Sequence, residues 1–242
     1  MENQNSSFYF KQFMIFQDKC AMKVGTDGIL LGSWANILGN SQILDIGTET
    51  GLLALMLTQR SQLSINTVID AVEIDHDAYL QATDNVKRSP WCDRINVYHA
   101  SIQNFAANHF KQYDLIISNP PFFENAYKSS QESRTLARHN DSLLQTDILQ
   151  ITAQLLKSNG HLAVIYPTDL ANNFQDKAKP FNLFCDRKVY VKPTPKSSVK
   201  RILLELSKTK SLCQENMLTI EEEKHIYTED YINLVEDFYL NL

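Results

Sequence analysis

The chain has no apolar run approaching the roughly 18 residues that a membrane-crossing helix needs, so no membrane span is expected. Its opening residues, Met1-Glu2-Asn3-Gln4-Asn5-Ser6-Ser7, lack the basic start and apolar centre of a secretory signal. Cysteine is sparse: Cys20, Cys92, Cys185 and Cys213 stand far apart, with no C-x-x-C pair and no histidine at zinc spacing. They read as four free buried thiols of a reducing, cytoplasmic compartment, and no metal is expected. Positive charge is not in excess either. A net charge of −5 excludes a protein that coats nucleic acid with its whole surface. There is no internal repeat, no low-complexity stretch and no long linker.

What is present suits an ordinary globular chain. With 242 residues, 43% of them hydrophobic and 21% charged, one sizeable α/β domain with an appendage or two small domains can form. Strand-like and helix-like segments alternate from about residue 42 to about residue 207. Strands are predicted at Gln42–Ile46, Val68–Ile74, Ile95–His99, Leu115–Ser118 and His161–Tyr166, and helices at Leu52–Arg60 and from about His76 to Lys87. Asp141 is a suitable N-cap for a helix running to Lys157 and stopped by Asn159-Gly160. Val189–Val191 and Arg201–Leu206 read as a closing antiparallel pair, and Thr228–Leu242 as a helix with Tyr231, Leu234, Val235 and Phe238 on its apolar face. This alternation predicts a doubly wound, mostly parallel sheet. Residues 1–40 form an N-terminal extension in which Phe8, Phe10, Phe13 and Ile15 alternate as short strands, and residues 41–242 the main domain.

The most informative stretch is Asn119-Pro120-Pro121-Phe122, directly after the buried strand ending at Ser118. The carboxyl end of a strand is where ligands bind in open α/β sheets. Two prolines remove two backbone donors and stiffen the preceding residues, so Asn119 presents a fixed amide. The aromatic ring that follows suits stacking on a planar group. Together they suit holding an exocyclic amine. A second constellation is Asp45-Ile46-Gly47-Thr48-Glu49-Thr50-Gly51, between the first strand and its helix, with the acid Glu73 ending the next strand. A glycine turn at a helix N-terminus plus a second-strand acid points to an adenosine-type cofactor. The turn is not G-x-G-x-x-G and no phosphate-binding lysine follows it, which disfavours a P-loop. A nicotinamide or flavin dinucleotide and S-adenosylmethionine remain open on these residues alone.

Taken with Asn119 to Phe122, the glycine turn resembles that of Rossmann-like S-adenosylmethionine-dependent methyltransferases. Phe10-Lys11-Gln12-Phe13 and the block from Gln17 to Gly32 are similar to the N-terminal part of the bacterial tRNA1(Val) adenine-N6 methyltransferases. The resemblance continues through Asp45 to Gly51, Glu73, Tyr113 to Phe123, Ala137-Arg138-His139 and Phe238-Tyr239-Leu240. It implies a class I fold with a mostly parallel seven-stranded sheet and an antiparallel C-terminal pair. It also implies S-adenosylmethionine as cofactor and tRNA as partner, with the adenine 3′ of a valine anticodon as target. Carried over by position, Asn119 and the Pro120 carbonyl hold the target N6 amine and Phe122 stacks on a flipped base. Lys23, Thr26, Asp27, Asp45, Gly47, Gly51, Glu73, Ser101, Ile102 and Asn119 are the implied cofactor contacts. Pro121, Phe123, Arg138, Lys192, Lys196, Lys200 and Arg201 are the implied substrate contacts. A monomer is expected.

Two departures stand out. Glu49 occupies a position where the family carries glycine, so a positive φ there would strain it. Ala100-Ser101 stands where relatives place an acid for the cofactor adenine, leaving Ser101 or the Ile102 amide to serve. The cations from Arg187 to Lys210, with Glu205 the lone acid among them, suit a phosphate-contacting patch or a solvated face. Arg134, Arg138 and His139 suit phosphate contact or plain surface charge. His76, His109, His161 and His225 read as structural or exposed, and Trp34, Trp91 and the Phe8/Phe10/Phe13 stripe as core. Rival activities on the same signature are guanine-N2 methylation in rRNA and methylation of a protein glutamine. A module that binds RNA without catalysis is a further rival.

Overall fold

The computed structural model describes residues 6–39, 41–62, 66–121 and 145–242. A short antiparallel hairpin, β1 (Ser7–Tyr9) and β2 (Met14–Phe16), leads to helix α1 (Thr26–Trp34). The alternating part follows as β3 (Gln42–Ile46), α2 (Leu52–Arg60), β4 (Val68–Glu73), α3 (His76–Arg88), β5 (Ile95–His99), α4 (Ile102–Asn108) and β6 (Tyr113–Ser118). It continues with α5 (Gln145–Leu155), β7 (Leu156–Pro167), α6 (Thr168–Ala178), β8 (Phe184–Lys192) and β9 (Arg201–Ser207). The chain closes with β10 (Gln214–Thr219), a small ribbon of β11 (Glu221–Glu223) and β12 (Ile226–Tyr227), and α7 (Glu229–Val235).

Eight strands form one sheet in the order β10-β8-β9-β7-β6-β3-β4-β5. Strand β9 runs antiparallel to both its neighbours, and every other described pairing in this sheet is parallel. The expected mostly parallel sheet with an antiparallel pair at its C-terminal side is therefore present, extended by β10. That edge strand is mostly exposed and polar, so hydrophobic alternation does not reveal it.

Period-two alternation sends side chains to opposite faces. Ile43, Leu115, Ile117 and Ala163 join the core beneath α1, α2, α7 and the hairpin. Leu44, Ile116, Leu162 and Val164 join the core beneath α4, α5 and α6. Helix α2 is buried from Leu52 to Gln59, as a helix apolar all round must be. Helix α1 lies against it at close range. A Cβ on Gly32 would stand 2.7 Å from Met56 Sδ, and one on Gly28 2.9 Å from Leu52 Cδ2. Phe10, Phe13 and Trp91 are buried in this first core, and Trp34 is half-buried under the Arg187 guanidinium.

Several local expectations change. The helix expected to reach Lys157 ends at Leu155, and β7 begins at Leu156. Gly160 lies within that strand, where a Cβ would meet Tyr113 O at 2.9 Å and Asp114 O at 3.0 Å, so it marks close strand contact rather than a helix stop. Asp141 lies outside the described residues. The C-terminal helix stops at Val235, because Tyr239 then bridges to Phe10 and the Lys11 amide donates to Phe238 O. The four cysteines are not all free: β10 beside β8 brings Cys213 to Cys185, with Cα atoms 5.4 Å apart and the sulfurs joined as a disulfide. Cys92 is exposed and Cys20 half-exposed rather than buried.

Gly160→Ala should cost about 1–3 kcal/mol, the usual penalty of overpacking against backbone. A lowered urea midpoint with unchanged slope would report it, and an unshifted midpoint would refute the close contact.

Candidate active site

Strand β3 ends at Ile46, and the chain turns through three positive φ angles: 71° at Gly47, 51° at Glu49 and 82° at Gly51. The turn is pinned to β4 by the Gly47 and Thr48 amides, which donate to Val72 O, and closed by the Gly51 amide on Thr48 O. Glycine takes such angles freely, whereas at Glu49 the left-handed region costs about 1–2 kcal/mol. The conditional expectation of strain at Glu49 is met. Its amide donates to Glu73 Oε2 at 2.8 Å, which holds the residue in place. Glu73 Oε1 accepts from the Ile74 and Asp75 amides at 2.8 and 2.9 Å.

Next to this turn, the Ser118 hydroxyl donates to Ile46 O at 2.8 Å and fixes the end of β6 against the end of β3. Asn119 follows at once. Its Oδ1 is buried and has no hydrogen-bond partner among the described residues. Between turn and strand end lies a cavity of about 470 Å³. Its third wall is the segment from Met22 to Gly28, entering α1. Asn85 ties the end of β2, ahead of that segment, to the turn, donating to Phe16 O and Thr50 O and accepting from the Phe16 amide.

The predicted site residues distribute unevenly. Lys23, Thr26, Asp27, Gly47, Asn119, Pro120 and Arg201 line this cavity together. Asp45 lies wholly buried beneath it and accepts the Thr48 hydroxyl at 2.5 Å. Gly51 is the left-handed N-cap of α2. Glu73 is buried under the turn and does not line the wall; Glu49 does. Ser101 caps α4 by accepting from the Asn104 amide, Ile102 is buried beside it, and neither lines the cavity. Pro121 is exposed. Phe122, Phe123, Arg134, Arg138 and His139 lie outside the described residues. Sequence reasoning missed Val24, Thr48 and Leu53 as lining groups, since nothing in their type distinguishes them from core.

The basic stretch divides. Arg187 makes paired bonds to Glu205 at 2.8 and 3.0 Å, and Lys188 pairs with Glu215 at 3.3 Å. Lys208 donates to Leu156 O. Arg201 pairs with Asp27 at 2.7 Å across the cavity rim. Lys192 at the end of β8, and Lys196 and Lys200 on the β8–β9 connection, are half-exposed or exposed, with no ion pair among the described residues.

A family model described as "Methyltransferase small domain" matches residues 24–178. A relative from Trichodesmium erythraeum, named tRNA1(Val) (adenine(37)-N6)-methyltransferase, is 57% identical over 97% of this chain and 98% of its own. The chain belongs to that family. A relative of the same name from Flavobacterium psychrophilum is 47% identical over 97% of this chain and all of its own. The fold of the tRNA1(Val) (adenine(37)-N6)-methyltransferase family is also that of more distant solved structures. One, described as a predicted O-methyltransferase from Agrobacterium tumefaciens, aligns with a TM-score of 0.65 at 17% identity, over 88% of this chain and 96% of its own. Another, a type I restriction-modification methyltransferase subunit from Streptococcus thermophilus, reaches 0.64 at 16% identity over 96% of this chain and 54% of its own. The fold and family imply S-adenosylmethionine as methyl donor.

The cavity suits such a group. Its wall carries buried acceptor atoms without partners, Asn119 Oδ1 and Glu49 Oε2, and an open face at Gly47 where a Cβ would touch nothing within 4 Å. Among the described residues no cluster of metal ligands occurs, and no helix is long and apolar enough to cross a membrane.

The electrostatics are acidic. Burial first, then Glu73 and Asp75, pushes the Glu49 carboxyl up to about 7, while the Met22 amide favours its charged form. Burial likewise pushes Asp45 up to about 7, against the Thr48 hydroxyl. Cys20, partly buried and beside Glu49, Glu73, Asp75 and Asp18, is pushed up to about 12. Asp45 and Glu49 thus hold protons more tightly folded than unfolded, where their values are 3.8 and 4.5. Between about pH 4 and pH 7 the unfolded chain binds fewer protons, so stability falls as pH rises through that window. The ligand-free melting temperature should therefore drop between about pH 4 and pH 7, with a shallower drop in Glu49→Gln. An identical profile in that variant would remove Glu49 from the account.

Proposed function

We propose that this chain transfers a methyl group from S-adenosylmethionine to N6 of adenine 37 in tRNA1(Val). The observation that carries the reading is the near-full-length identity to relatives bearing that name, with Asn119 and Pro120 of the Asn-Pro-Pro signature in the cavity wall. Asn119 Oδ1 accepts from the target amine, and the Pro120 carbonyl accepts its other hydrogen. The two acceptors aim the nitrogen lone pair into the cavity. The donor supplies an electrophilic methyl on a sulfonium, so the residues need only orient the amine and exclude water, and no strong base is required. The lost N6 proton leaves to solvent. Phe122 is assigned to stacking on the flipped base.

Within the cavity, Lys23, Thr26 and the Gly47–Thr50 turn hold the donor. Glu73 acts through the turn, whose Glu49 amide it fixes. Ser101 and Ile102 are assigned to the adenine end of the donor. Lys192, Lys196 and Lys200 contact tRNA phosphates, and Arg138 and Phe123 complete the substrate side. Arg201 shapes the rim through Asp27. On this reading the protein acts on tRNA in the cytoplasm.

Nucleoside digestion of unmodified tRNA1(Val) transcript after reaction should yield N6-methyladenosine. N2-methylguanosine, or no methylated nucleoside, would reject the reading. Asn119→Ala should lower turnover by at least about 100-fold, the scale of losing an oriented acceptor, while calorimetry finds donor binding nearly unchanged. Reversing the charge of Lys192, Lys196 and Lys200 together should weaken tRNA binding and reduce its salt slope by about 2–3. Fluorescence anisotropy across a salt series measures both, and an unaltered slope would clear these lysines of phosphate contact.

A further inference from the structure

We propose that Glu49 is a specificity-determining residue, which makes the cavity hold the cationic methyl donor in preference to its neutral demethylated product. The proposal rests on the reading of the cavity as a methyl-donor site. It starts from a mismatch at one position. The turn between β3 and α2 needs a left-handed residue, and this chain places a long carboxylate there. The backbone fixes its place: the Glu49 amide is held by Glu73, and the residue lines the cavity together with Asn119. Glu49 Oε2 is a buried acceptor with no hydrogen-bond partner among the described residues, and the carboxylate has no ion pair among them.

The surrounding charges give that acceptor a function. Glu73 at the end of β4 and Asp75 at the N-cap of α3 lie on one side, and Asp18 and Cys20 precede the wall segment. Asp45 lies below. Of the cations in the wall, Arg201 is engaged by Asp27, leaving Lys23 to face the acids. The site is therefore short of positive charge. S-adenosylmethionine carries a sulfonium, an ammonium and a carboxylate, for a net charge of +1 at neutral pH. During transfer the methyl–sulfur bond breaks with its electron pair staying on sulfur, the nitrogen–carbon bond forms, and a proton leaves N6. The product, S-adenosylhomocysteine, keeps the ammonium and carboxylate but has a neutral thioether. Donor and product thus differ by one unit of charge within the cavity that Glu49 lines, and an ionised carboxylate there would separate them by roughly tenfold in affinity.

Proton linkage follows from the same geometry. Burial and neighbouring acids leave the Glu49 carboxyl partly protonated near neutrality when no ligand is present. A bound cation draws it to the ionised form, releasing a proton. The neutral product does so far less.

Calorimetry on the full chain tests this with S-adenosylmethionine and S-adenosylhomocysteine as probes, at about pH 6 and pH 8, in two buffers of different ionisation enthalpy. Donor affinity should rise about five- to tenfold with pH and its binding should release protons near pH 7, while product binding stays nearly flat. Glu49→Gln should lower the donor-to-product preference roughly tenfold and abolish proton release. Glu49→Gly, which suits the turn's φ, should do the same and guards against misfolding of the first variant. An unchanged preference in both variants overturns the proposal. Binding of both ligands by Glu49→Gly alone overturns it too, making Glu49 an obstruction. Failure of the wild type and Glu49→Gly to bind either ligand overturns the donor-site reading itself.

Discussion

The cavity depends on the reversal of winding between β3 and β6. From β3 the chain moves outward to β4 and β5, then returns to lay β6 on the other side of β3. Helix α2 leaves β3 toward one face, and α5 packs on the opposite face after β6. Two adjacent strand ends therefore have connections that diverge, and a crevice opens between them. The Ser118–Ile46 hydrogen bond sets how far those ends sit apart. The Gly47–Thr50 turn and Asn119 meet because of that register.

The third wall is added by packing. Gly28 and Gly32 lie one helical turn apart on α1 and let it settle onto Leu52 and Met56 of α2. Larger residues there would lift α1 and the segment before it from the cavity. At the rim, Asp27 and Arg201 tie the start of α1 to the start of β9. Much of the apparent phosphate-binding patch is thereby spent on the protein itself: Arg187 on Glu205 and Trp34, Lys188 on Glu215, Arg201 on Asp27. An acidic chain can still meet a polyanion through the few cations its own carboxylates leave unclaimed.

The sheet was legible in the sequence because burial on both faces writes apolar runs, as in Ile43–Leu44 and Leu115–Ile117. Strand β10 was not, since an exposed edge strand carries no such run. The helix end at Leu155 was misread because Asn159-Gly160 has the composition of a cap while Gly160 in fact serves strand contact. The Asn-Pro-Pro motif and the glycine turn were legible through their position after strands. Contacts of long sequence separation were not: Asp27 with Arg201, and Cys185 with Cys213, are products of topology that spacing rules do not carry. Glu49 was visible as an oddity, but that it would stand in the wall with Glu73 behind it required the turn's geometry.

The hairpin before α1 is held by residues more than two hundred positions later, through Phe10 with Tyr239, the Lys11 amide on Phe238 O and the Lys11 ammonium on Glu236 O. Such pairings belong to the slowest part of a folding reaction, because a long chain segment must close before they form. The hairpin gains this far anchor only once the residues around Tyr239 join it, although α1 already rests on α2 through Gly28 and Gly32. The wall segment after the hairpin is thus braced twice, by α2 and Asn85 from nearer in sequence and, through the hairpin, by the residues around Tyr239.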